Sequence, residues 1–120
     1  MPDRLGFWSS HGLGYQKVSV FLDLDTEDLC RIGRVGKRSV RLDNRIPRGL
    51  ALSLHQIANI CALVAGYFEG DIDKTALWFR TINPMLGDIS PREMIRFGRS
   101  ERLLKFVMEA SDANSSSAAA

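Results

Sequence analysis

Two carboxylates one residue apart, Asp23 and Asp25, follow the apolar run Val20-Phe21-Leu22. In phosphate-transferring enzymes that arrangement supplies a nucleophile and its acid/base partner. The chemistry also needs a hydroxyl residue two positions after the second carboxylate, where this chain has Glu27, and a parallel sheet to hold the pair. With neither, Asp23 and Asp25 read as a helix stop and a helix cap. His11 lies among glycines and His55 near the start of a long helical segment, with no histidine, cysteine or carboxylate grouping that resembles a metal set. Cys30 and Cys61 sit among apolar neighbours, without paired-cysteine spacing or a nearby histidine, and read as buried, reduced thiols. No glycine-rich phosphate loop is present. The expectation is a protein that is not an enzyme, with no catalytic residue, no metal and no cofactor.

Charge points to a partner instead. Net charge is only +2, but Arg31, Arg34, Lys37, Arg38, Arg41, Arg45 and Arg48 place seven of the sixteen basic residues in one segment, opposed by Asp43 alone. Such density suits a polyanion such as DNA, against the plainer reading of a solvated charged face.

The elements that position these residues are read from periodicity and punctuation. Residues 1–14 are an irregular lead-in, although Phe7 and Trp8 can dock on the body. Val18, Phe21 and Leu22 share a helical face; Asp25 or Thr26 then caps a second helix with Glu27 and Asp28 in its first turn. A break at Gly33 to Gly36 precedes a third helical segment from Lys37 to Asp43. Residues 25–43 thus lie onto a helix-turn-helix, with Cys30 where the helices cross, Val40 inward, and Lys37, Arg38, Ser39 and Arg41 outward, followed by Arg45. Basic and hydroxyl side chains there suit phosphate and base-edge contacts. Arg34 departs from the glycine common at such a turn.

The longest periodic segment follows, with capping-box spacing at Ser53 and Gln56, then Ile57, Ile60, Cys61, Val64 and Phe68, and a stop at Gly70. No apolar run is expected to reach the roughly 20 residues of a membrane span, and the beginning of the chain lacks a leader-like pattern, so a cytoplasmic protein is expected. Asp71 opens a helix with Ile72, Ala76 and Phe79 on one face, ended by Asn83-Pro84. Ser90-Pro91-Arg92-Glu93 has the serine cap, first-turn proline and glutamate of a helix start, with Ile89 and Met94 placed as a hydrophobic staple. Gly98 stops that helix, and a last one carries Leu103, Leu104, Val107 and Met108. The Ser/Ala-rich residues 111–120 are expected to be a mobile tail. The class is all-α, organised as a lead-in (1–14), a helix-turn-helix region (15–48), a second helical region (49–110) and the tail (111–120).

The ordered set from Ala76 to Ile95, a tryptophan helix leading to Asn83-Pro84, Leu86-Gly87 and a proline-started helix, continued through Phe97-Gly98 to Leu103, Leu104, Val107 and Met108, resembles the toxin-binding domain of the Xre/MbcA/ParS antitoxin family. With the helix-turn-helix before it, the resemblance covers residues 15–110. It implies a non-catalytic antitoxin that binds and neutralises a RES-domain toxin acting on NAD, and that represses its own operon through operator DNA contacts at Lys37, Arg38, Ser39, Arg41 and Arg45. The implied toxin contacts are Trp78, Asn83, Pro84, Leu86, Gly87, Arg99, Arg102, Leu103, Phe106, Met108 and Glu109, with the tail reaching the toxin site. A homodimer or a hetero-oligomer with the toxin is expected. A stand-alone helix-turn-helix regulator is the alternative.

Overall fold

A computed structural model describes residues 3–119, with side chains through Asp112. Among them, a two-stranded hairpin, β1 (Trp8–Ser9) and β2 (Gly12–Leu13), precedes six α-helices: α1 (Tyr15–Leu22), α2 (Thr26–Gly33), α3 (Arg48–Tyr67), α4 (Ile72–Arg80), α5 (Pro91–Arg96) and α6 (Ser100–Ala119). Helix makes up 64% of the chain, so the expected all-α class holds.

The lead-in is more ordered than its glycines suggested. Trp8 pairs with Leu13 across the antiparallel hairpin, and the Asp3 carboxylate accepts from the backbone N–H groups of Phe7 and Trp8 at 2.9 Å each. Phe7 is buried and meets Phe21 edge-on; Phe21 in turn meets Phe79, which meets Trp78. This aromatic series ties the lead-in through α1 to α4.

The three local caps behave as their spacing required. Asp25 accepts from Asp28 N–H while Asp28 reaches back to Asp25 N–H; Asp71 accepts from Lys74 N–H at 3.0 Å, and Ser90 from Glu93 N–H at 3.1 Å. Asp23, at a left-handed φ of 52°, ends α1.

Other expectations are corrected. The segment from Lys37 to Asp43 is not an α-helix: only Lys37–Ser39 forms a 3-10 turn, and Val40 is already extended. Three effects oppose a helix there. Lys37/Arg41 and Arg41/Arg45 would place like charges four residues apart; the Asp43 carboxylate turns the chain by accepting from Arg45 N–H; and Val40, Leu42 and Ile46 are drawn onto the core from a non-helical spacing. Helix α3 begins at Arg48, well before Ser53. Ser53 instead donates to Ile32 C=O, and Gln56 accepts from the Ser100 hydroxyl at 2.8 Å. On α4, Thr75 and Phe79 face inward, whereas Ile72 is exposed.

Helix α3 lies at the centre, packed by α1, α2, α4 and α6. By length and apolar composition it is also long enough to cross a membrane, contrary to expectation. Its apolar side chains Leu50, Leu54, Ile57, Ile60, Cys61 and Val64 are, however, committed to the protein interior. Gly33 makes the close crossing of α2 with α3, where a Cβ would stand 2.8 Å from Leu50 Cβ; the α-helix that Cys30 was expected to cross is only the turn Lys37–Ser39. Helix α6 continues past Ala110 to Ala119; the side chains of residues 113–120, most of the expected tail, lie outside the described residues, as do Met1 and Pro2.

Candidate functional site

Two surfaces gather the residues singled out by sequence. The first surrounds Phe106 on α6. On one side a groove of about 360 Å³ is lined by Leu63, Tyr67, Trp78, Asn83 and Phe106. On the other a groove of about 490 Å³ is lined by Met85, Leu86, Ile89, Arg99, Arg102 and Phe106. Gly87, Lys105 and Glu109 border the second groove, and Met108 lies with Glu109 on a further shallow surface of α6.

The turn between the grooves is built locally. Asn83 accepts from Met85 N–H at 2.9 Å and its own N–H donates to Ile89 C=O, closing the loop around the 3-10 turn Pro84–Leu86. Gly87 follows at φ 85°, a left-handed conformation that costs a glycine little. The result leaves Met85 77% and Ile82 65% exposed; elsewhere on the chain Leu77, Phe97 and Met108 are each more than half exposed. Of these, Met85 lines the second groove.

Of the expected toxin contacts, Pro84, Gly87, Arg99, Arg102, Met108 and Glu109 are exposed and Trp78, Asn83, Leu86 and Phe106 half-buried. Leu103 is different. It is fully buried between helices and its side chain cannot reach a partner. Sequence reading missed Tyr67, Met85 and Lys105; for Met85 and Lys105 the signal was their place beside Leu86 and among Arg99 and Arg102.

The second surface is the basic segment. Arg31, Arg34, Lys37, Arg38, Arg41, Arg45 and Arg48 are all exposed. Arg41 is held by Asp43 at 2.7 Å, and the Asp43 carboxyl is held below its ordinary value first by the Arg41 guanidinium and then by the Arg45 N–H. Arg31 turns inward to Asp28 and Arg96 C=O. Arg34, Lys37, Arg38, Arg45 and Arg48 make no ion pair among the described residues and point their charge at solvent.

No group of three or more histidine, cysteine or carboxylate side chains at ligating distance occurs among the described residues. Cys61 is wholly buried and burial pushes its thiol up, away from the reactive thiolate; Cys30 is half-buried.

Asp28 is the exceptional ionisable group. Its carboxylate is 1% exposed and accepts from Arg96 Nε at 2.9 Å and Arg31 at 3.2 Å. Burial pushes it up, but the Asp25 N–H and the two guanidinium groups outweigh this and hold it below 3.8. The two guanidinium groups tie α2 to α5 through this carboxylate, so it serves the fold that carries both surfaces. No protein-family model, no curated protein and no solved structure matches the chain.

Proposed function

We propose that this protein is a cytoplasmic, non-catalytic antitoxin that binds and neutralises a RES-domain, NAD-targeting toxin encoded beside it. The observation that carries the reading is the coincidence of two features in one stretch. The resemblance to Xre/MbcA/ParS antitoxins is densest from Ala76 to Met108, and that stretch lines the two grooves beside Phe106 with Trp78, Asn83, Met85, Leu86, Arg99 and Arg102, Met85 being 77% exposed. A monomer gains nothing from such exposure; a partner that covers it does. Inhibition is steric: a helical surface occludes the toxin's NAD pocket.

The basic segment supplies a second activity, DNA contact and with it repression of the protein's own operon. Here residues 25–43 act as a helix-turn-helix-like corner whose second helix is reduced to the turn Lys37–Ser39. The seven exposed cations between Arg31 and Arg48 favour this over an inert face, and alone they would also suit the alternative of a regulator without a toxin. Co-expression with the neighbouring reading frame decides between them. The antitoxin reading requires co-purification and loss of toxin activity; a toxin fully active at saturating amounts of this protein overturns it.

A further inference from the structure

We infer that residues 34–48 are a clamp for the phosphate backbone of duplex DNA that reads charge and not sequence. The inference rests on the DNA-contact part of the reading above and departs from its operon-specific part, since a clamp that reads charge binds its own promoter no better than other duplex DNA. Direct reading of bases requires an element that enters the major groove, an α-helix or a two-stranded ribbon. Here the candidate element is a single turn of three residues, Lys37–Ser39, followed by irregular chain. Helix α2 cannot replace it. The first turn of a recognition helix meets the bases, and that of α2 carries Glu27 and the buried Asp28 behind the cap Asp25, which phosphate repels.

What the segment does offer is exposed charge on chain that is anchored to the core. Val40, Leu42 and Ile46 seat the chain on the core, while Arg41, Arg45 and Arg48, interleaved with them, remain in solvent with Arg34, Lys37 and Arg38. Asp43 fixes the bend and takes up Arg41, leaving Arg34, Lys37, Arg38, Arg45 and Arg48 for phosphates. Single strands are the poorer partner, because their binders stack bases on aromatic side chains and residues 31–48 contain none. Duplex DNA carries the denser charge, one per roughly 1.7 Å of axis.

The test uses the full chain and three probes: a short duplex from immediately upstream of its own reading frame, a shuffled duplex of the same composition, and the corresponding single strand. Across about 50–200 mM salt, five phosphate contacts give a log–log slope of about −4.5 for both duplexes, with weaker binding of the single strand. The two duplexes should agree to within about threefold, where a sequence-specific binder prefers its site by roughly 10³-fold or more. Replacing Arg38, Arg45 and Arg48 with alanine, none of them holding another side chain, should reduce the slope by about 2.7 while urea unfolding stays that of the parent. A tenfold or greater preference for the upstream duplex, or for the single strand, overturns the clamp and leaves DNA binding standing. No binding to any probe at the lowest salt overturns the clamp and the DNA-binding reading together. Toxin inhibition is scored separately and is indifferent to either result.

Discussion

The Arg96 guanidinium of α5 donates to the buried Asp28 carboxylate of α2 across 2.9 Å, joining residues 68 apart in the chain. Arg31 closes the same network by donating to Asp28 and to Arg96 C=O. Removing Arg96 leaves a buried anion with a partial set of partners. Arg96→Met should destabilise the protein by about 2–3 kcal/mol, less than the loss of a whole buried pair because Arg31 and the Asp25 N–H remain. Urea unfolding measures it. A loss below about 0.5 kcal/mol would show that the pair carries no weight.

The same network sets a pH dependence. Asp28 is held below its ordinary value of 3.8 in the folded state. Its ionisation therefore stabilises the fold above that value, and the contribution is lost as pH falls further through the lower folded value. Asp28→Asn should cost stability at pH 7 and flatten the fall in stability below about pH 4. Unfolding of parent and variant at the two pH values gives the comparison, and parallel acid slopes would refute it.

At the α2/α3 crossing, the ideal Cβ of an alanine at position 33 meets Leu50 Cβ at 2.8 Å. Gly33→Ala should cost about 1–3 kcal/mol by overpacking despite alanine's better helix propensity. In a Leu50→Ala background the same change should cost less, which a double-mutant cycle reads directly. Additivity would place the strain elsewhere.

Met85 is mostly exposed and Arg102 borders the same groove. Met85→Glu with Arg102→Glu should leave stability within about 0.5 kcal/mol of the parent, as surface changes do. Toxin affinity should fall at least tenfold, the loss of one interface anchor of about 1.4 kcal/mol or more. Titration of the purified toxin checks it, and unchanged neutralisation would remove this groove from the interface.

What was legible in the sequence was local. Ser90, Asp71 and Asp25 announce caps because a cap and the N–H that donates to it lie within three residues, and Gly98 marks a stop in the same way. The start of α3 was not legible: Pro47 makes no side-chain cap there, so Ser53 and Gln56 offered a false one. The short turn at Lys37–Ser39 was misread because Val40 alone was placed inward, while the non-helical spacing of Val40, Leu42 and Ile46 and the bend at Asp43 decide otherwise. Of the candidate surface, the exposed turn around Pro84 was visible as a motif. The burial of Leu103 and the exposure of Ile72 depend on helix rotation against α3, which periodicity alone leaves open.

On α5, one turn before Arg96, the Arg92 guanidinium donates to the carbonyls of Leu22 and Asp23, where α1 ends. That grip bears on how such a protein can be rearranged genetically. A recombination crossover near Arg48 would join the first helices of one ancestor to the last helices of another, and only a descendant that kept an arginine at this position opposite the same α1 terminus would satisfy both carbonyls. Separated from the end of α1, the Arg92 guanidinium and the two carbonyls would each be left to water.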